Sequence, residues 1–224
     1  MRVHSESVIT VGLDASPPLP LHTGHPGEGF EVDLLKAIAE RAGFKIRYRS
    51  ALWNELVQHL VDRQLDMICT AATITEDRKR IVDFSEPYLE YELAIVVRRD
   101  CEDIGDAADL AGKSVGVRVA STAEEYARKH LTRSLLTSYH FNTEAYSALT
   151  DSTLRAVLDD APIAKGFEAL LREVRVASTV DGTKSQYGIM FARGNDELRM
   201  IVNQALGALR EDGTCDTLYR KWFT

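Results

Sequence analysis

Thr70–Tyr88 reads TAATITEDRKRIVDFSEPY, and the way this stretch is parsed decides what kind of fold the chain makes. The apolar run Met67-Ile68-Cys69 leads into it, so a buried strand is expected to stop where the threonines begin. Thr75 followed by Glu76 and Asp77 has the pattern of a helix start: an oxygen-bearing cap, then acids against the positive end of the helix dipole. Thr70, Ala71 and Thr73 then fall in the turn between strand and helix, and Arg78 follows one turn in. A turn with exposed N–H groups, hydroxyls and a nearby guanidinium makes a receptor for a carboxylate, because the planar fork of arginine matches two carboxylate oxygens. The competing reading is a surface arginine paired with Asp77, Asp83 or solvent, and such exposed pairs are weak.

Strand and helix patterns alternate on both sides of this stretch. VITVGLD (8–14) alternates apolar residues and ends in Asp14. EVDLLKAIAERAG (31–43) places Val32, Leu35, Ile38, Ala39 and Ala42 on one helical face, with Gly43 as its stop. Further strands are expected at KIRYRS, DMICTAA, ELAIVVRR, KSVGVRV, SLLTSYHF, RAVLDD and SQYGIMFAR. Helices are expected at NELVQHLVDRQ, STAEEYARKHL, TEAYSALTDS, PIAKGFEALLREV and DELRMIVNQALGALREDG, the last ended by Gly213. This alternation predicts an α/β fold of parallel sheets with helices on both faces, and ligand-facing loops at the carboxyl ends of strands. The longest irregular piece, ASPPLPLHTGHPGEG (15–29), has the length of a functional loop. His22, His25 and Glu28 within it can be drawn as a metal site, but a loop rich in Gly and Pro preorganises ligands poorly, and no metal is expected.

Two more turns could carry chemistry. In VRVASTAEEYA (117–127), Ser121 and Thr122 are each followed three residues later by an acid, Glu124 and Glu125, the capping-box pattern in two registers. The same geometry presents N–H groups to an anion, with plain helix capping as the alternative. In AVLDDAPIA (156–164) a strand ends in Asp159 and Asp160, and Pro162 suits a first helical turn. An acid at the mouth of a buried strand needs a cation; one of the two acids is open to capping the helix, the other to meeting a ligand ammonium. Trp53 and Tyr88 are aromatic candidates for a pocket wall, with core packing as the default for either.

Composition excludes several classes. With 224 residues the chain can bury one large core or two modest lobes. A net charge of −7 with interspersed bases argues against a nucleic-acid partner. No apolar stretch reaches 18 residues, so no membrane-spanning helix and no direct membrane insertion is expected. MRVHSESVITVGLD lacks the apolar segment of a signal peptide, which suits a cytosolic protein, a mature form or an excised domain alike. Cys69, Cys101 and Cys215 fit no metal spacing; Cys69 reads as a buried small hydrophobe, and a Cys101–Cys215 disulfide stays open. No nucleophile elbow, P-loop, His-Glu-x-x-His or Cys-x-x-Cys is present, so neither a catalytic residue nor a cofactor is expected.

Five pieces in this order resemble the family 3 extracellular solute-binding proteins, the polar amino-acid receptors of ABC transporters: GFEVDLLKAIAERAG, LDMICTAATITEDRKRIVDFSEPY, LAGKSVGVRVASTAEEY, AVLDDAPIA and REDGTCDTLYRKWF. The resemblance implies a two-lobed receptor that closes on a ligand in a cleft, each lobe a mixed, mostly parallel sheet flanked by helices. Lobe 1 would comprise residues 1–94 and 190–224 and lobe 2 residues 95–189, joined by the strands ELAIVVRR and SQYGIMFAR. Position by position, Arg78 matches the clamp for a ligand α-carboxylate, assisted by Ala71 and Thr73 beside Thr70. Ser121 and Thr122, after Ala120, match the second-lobe groups that meet the same carboxylate. Asp160 matches the acid for the α-ammonium, Trp53 the aromatic wall, and Asp14 a contact to the ligand side chain. The sequence departs from the family pattern at Ser16, where an aromatic is usual, and at Ala71, where a glycine is common. Arg118 could reach an acidic ligand side chain, whereas inward-pointing Asp14 and Glu28 would favour a cationic one. The resemblance further implies a monomer in the periplasm or outside the cell, serving a membrane permease. Alternatives are the input domain of a membrane-bound histidine kinase, tethered to the membrane, and a dehydratase of the prephenate or arogenate type.

Overall fold

The computed structural model describes residues 7–15, 21 and 27–223. Two compact units divide the chain, one formed by Met1–Glu90 and Gln186–Thr224, the other by Tyr91–Ser185.

The first unit is built on a five-stranded sheet. β1 (Val8–Asp14) lies parallel to β2 (Lys45–Ala51) on one side and to β3 (Met67–Ile68) on the other. β12 (Met190–Ala192) then runs antiparallel between β3 and β4 (Val82–Phe84). Helix α1 (Phe30–Ala42) buries Val32, Leu35, Ile38 and Ala39, most of the face that the periodicity marks. Its end is set by Gly43 at φ 76°, whose N–H reaches the Ala39 carbonyl at 2.8 Å, the left-handed cap that glycine adopts without steric cost. α2 (Trp53–Val61) drives Leu56 and Leu60 into a cluster with Ile68, Val82, Phe84 and Met190. Each such buried side chain contributes roughly 1.5–3 kcal/mol. α3 (Glu76–Lys79), α7 (Asp196–Glu211) and α8 (Thr214–Phe223) complete the unit. The pattern reading assigns no element to α8. It is docked on α1 by Asp33, whose Oδ2 accepts from Lys221 Nζ at 2.6 Å and Trp222 Nε1 at 3.0 Å.

The second unit repeats the plan. Its sheet runs β10 (Val174–Thr179), β6 (Leu93–Arg98), β9 (Ala156–Asp160), β7 (Ser114–Arg118), β8 (Leu135–Tyr139). Helices α4 (Thr122–His130), α5 (Asn142–Thr150) and α6 (Ala161–Leu170) cover it. β5 (Leu89–Tyr91) and β11 (Ser185–Tyr187), where the chain passes from one unit to the other, pair as a two-stranded sheet.

Both large sheets are mixed: in each, two strand pairings are parallel and two antiparallel. The reversal has one cause. β6 and β12 are the strands that follow the two passages between units, and with no crossover helix before them they enter their sheets running the other way. The expected strand SQYGIMFAR is two strands, broken around Gly188. The helix expected through Val174 ends at Leu170, and the alternating VRVAST that follows is the edge strand β10. The disulfide left open does not form: all three cysteines are free, and Cys101 instead donates to Asp103 Oδ1 at 3.2 Å. No helix among the described residues is long and apolar enough to cross a membrane, and none of their His, Cys, Asp and Glu groups forms a metal-holding cluster. Ser16, His22 and His25 lie outside the described residues.

Candidate functional site

In the first unit the strand that leads into the opening stretch is short and fully buried, and the chain leaves it through Cys69 and Thr70, both also buried. Thr70 Oγ1 accepts the Asp14 N–H at 3.2 Å, tying the ends of β1 and β3 together. Asp14 itself is almost wholly buried. Ala71 then takes φ 50°, a left-handed conformation costly for any residue with a Cβ. Thr73 is buried, and Thr75 caps α3 as the sequence predicts, its Oγ1 accepting the Arg78 N–H at 3.2 Å.

Arg78 is fixed from two sides. Its Nη1 donates to the Thr73 carbonyl at 2.9 Å, and its guanidinium carbon lies 4.9 Å from the centroid of the Trp53 ring. A cation held over an aromatic face gains attraction from the ring quadrupole and loses side-chain freedom. Asp77 pairs instead with Arg80 at 3.2 Å, and Asp83 accepts the Gly194 N–H. Asp14, Trp53, Thr70, Ala71, Thr73 and Arg78 therefore belong to one neighbourhood at the carboxyl ends of β1 and β3.

Two further residues support this neighbourhood: Glu31, which the sequence does not mark, and Tyr88, which it offers as a pocket wall. Glu31, fully buried in the first turn of α1, accepts the Ala71 N–H on Oε1 at 2.6 Å and the Tyr88 hydroxyl on the same oxygen. Its Oε2 is buried without a hydrogen-bond partner. Tyr88, the wall candidate, is thus the donor that braces Glu31, and its ring lies 6.1 Å from that of Tyr187. Burial pushes the Glu31 carboxyl up to about 7, against the pull of the Ala71 and Tyr88 hydrogen bonds and with help from the nearby Asp14 charge.

In the second unit, Val119 and Ala120 lead from β7 into α4, and Ala120 stands at φ 58°. Of the two capping registers the structure uses the first: Ser121 Oγ accepts the Glu124 N–H at 3.1 Å while donating to the Arg118 carbonyl at 2.7 Å. Thr122 opens the helix, its hydroxyl 3.2 Å from that of Tyr91. A cavity of about 410 Å³ opens beside Thr122, lined also by Tyr126, Lys129, His130 and Thr183. The two acids of β9 divide their work. Asp159 is the structural one, its Oδ1 accepting the Asp160 N–H at 2.9 Å and its Oδ2 accepting from Asn142 at 2.7 Å and Tyr146 at 3.3 Å. Burial raises its carboxyl to about 6, opposed by these hydrogen bonds and by the positive charge of Arg118. Asp160 is the cap residue of α6, but its side chain makes no capping hydrogen bond to the helix.

Both raised acids act on stability in one direction. Their neutral forms are favoured by the fold, so this contribution is complete below about pH 4 and is lost as pH rises through about 6 for Asp159 and about 7 for Glu31. For Glu31 the difference from its ordinary 4.5 corresponds to about 3 kcal/mol. The melting temperature should therefore fall between pH 5 and pH 8, and Glu31→Gln should flatten that slope. Parallel wild-type and variant melts with the same slope would show that Glu31 is already ionised throughout.

Residues 9–224 match the family described as bacterial extracellular solute-binding proteins, family 3. The L-cystine-binding protein TcyJ of Escherichia coli K12 is 27% identical over 225 residues, covering 99% of this chain and 85% of that protein. The arginine-binding extracellular protein ArtP of Bacillus subtilis 168 is 31% identical over 205 residues, covering 88% of this chain and 78% of that one. Among solved structures, an ancestral arginine-binding protein bound to arginine has a TM-score of 0.88 at 32% identity, covering 99% of this chain and all of that one.

Proposed function

Because the chain belongs to the bacterial extracellular solute-binding proteins, family 3, we propose that it captures a free amino acid for an ABC importer outside the cytoplasm. The observation that carries this reading is the Arg78 guanidinium, held by the Trp53 ring and the Thr73 carbonyl in a turn of buried threonines. Arg78 takes the α-carboxylate, with Thr70, Ala71 and Thr73 lining its approach; Asp160 takes the α-ammonium; Ala120, Ser121 and Thr122 present N–H and hydroxyl groups to the carboxylate.

Side-chain preference follows from charge. Asp14 puts a buried carboxyl beside the Arg78 neighbourhood, so a neutral or cationic ligand side chain is favoured over an acidic one. This agrees with the arginine and cystine binding named for two relatives. Arg118, a candidate for an acidic side chain, shares its field with Asp159 instead. Capture without chemistry is the reading: Asp159, which burial holds towards neutrality, is spent on Asn142, Tyr146 and the Asp160 amide.

A thermal-shift screen over the twenty L-amino acids and L-cystine, each at about 0.1 mM, about a hundred times a micromolar dissociation constant, tests this. A ligand at a hundred times its dissociation constant stabilises by about 2.7 kcal/mol, enough to move the melting temperature by several degrees. The expected result is a shift with arginine or another non-acidic amino acid and none with glutamate or aspartate. No shift with any member of the panel overturns the reading.

A further inference from the structure

Among the described residues the same local device occurs in both units. In the first, Ala71 at φ 50° is held by its N–H donating to Glu31 Oε1 at 2.6 Å. In the second, Ala120 at φ 58° is held by its N–H donating to Glu124 Oε2 at 2.8 Å. Neither alanine would choose this conformation unaided, because its Cβ crowds the backbone there. In both cases the glutamate sits in the first turn of a helix. Each glutamate is itself braced. Glu31 receives the Tyr88 hydroxyl; Glu124 Oε1 receives Ser138 Oγ at 2.6 Å and Arg128 Nη2 at 2.7 Å. Two stretches of sequence, one in each unit, thus share one arrangement, and each stands at the head of a loop assigned above to the ligand carboxylate.

We infer that Glu31 and Glu124 are positioning residues for ligand capture, each restraining a left-handed alanine so that its loop meets the carboxylate already in its bound shape. The inference rests on the reading that these two loops bind the ligand. Its physical content is preorganisation: without the restraint the alanine relaxes towards ordinary φ, the loop samples other shapes, and binding must select the competent one. A glycine at the same position would hold the left-handed turn without help.

Titration calorimetry on the full chain, with the member of the amino-acid panel that gives the largest thermal shift, decides it through a double-mutant cycle. Glu31→Leu should weaken binding at least tenfold when residue 71 is alanine and less than threefold in the Ala71→Gly background. Glu31→Gln, whose amide oxygen still accepts the Ala71 N–H, should stay within threefold of wild type. A Glu31→Leu loss of equal size in both backgrounds, or no loss, overturns the inference, since a general loosening of the unit does not depend on residue 71. Should Glu31→Leu fail to fold, the Glu124→Leu and Ala120→Gly cycle asks the same question on an exposed turn, with the same two outcomes. Failure of the underlying reading looks different: Arg78→Ala would then leave affinity intact, whatever the cycles show.

Discussion

Arg78→Ala should lower affinity for the captured amino acid by at least about 30-fold, about 2 kcal/mol, the loss typical of removing one side of a desolvated charge pair. The argument starts from how the side chain is held. The Trp53 ring at 4.9 Å and the Thr73 carbonyl at 2.9 Å fix the guanidinium before any ligand arrives. Little ordering entropy is then spent on it at binding. Truncation should not unfold the unit, because α3 buries none of its residues and keeps its Thr75 cap, which uses the backbone N–H of residue 78 and not its side chain. Calorimetry and a thermal melt of the unliganded variant therefore separate the two effects. A large affinity loss with a nearly unchanged unliganded melting temperature is expected, whereas unchanged affinity removes Arg78 from the site. Arg78→Lys should fall between, since it keeps the charge but loses the fork that matches two oxygens.

How much of this was legible in the sequence depends on how local each signal is. The apolar face of α1, its Gly43 stop, the Thr75 cap and the strand ending in two acids are all written within one or two turns of chain, and the structure has them where the pattern puts them. The edge strand β10 was hidden because LREV continues the helical period of the preceding segment. What separates helix from strand there is the β-branched alternation that follows and the Arg99 N–H reaching the Glu173 carbonyl at 2.7 Å. Glu31 was hidden for a different reason. Locally it is one more acid in a first helical turn. Only the Ala71 amide, forty residues further on, gives it a role. Ala71 reads locally as a departure from a common glycine, and the compensation for that departure lies in another element. The pairing of supports with strained turns is a tertiary fact, and periodicity cannot carry it.

Asp160→Asn tests the other pole of the ligand, and its expected effect is a difference between two kinds of solute. Asp160 ends β9, is nearly buried, and does not spend its carboxylate on capping α6. Its backbone is fixed from below, because Asp159 accepts the Asp160 N–H at 2.9 Å and is itself held by Asn142 and Tyr146. Asparagine has almost the same shape, so the substitution removes charge and leaves the strand end in place. An α-ammonium facing it would lose a charge-assisted hydrogen bond worth roughly 1.5–3 kcal/mol. Affinity for the α-amino acid should therefore fall by about tenfold to 100-fold, while the carboxylic acid with the same side chain and no amino group, which never met Asp160, should lose less than about twofold. Calorimetry with such a matched pair reads both numbers on one variant. Equal losses for the two solutes would mean that Asp160 shapes the strand end and that the ammonium is received elsewhere. A selective loss, together with the Arg78→Ala result, would assign the ammonium to Asp160 and the carboxylate to Arg78.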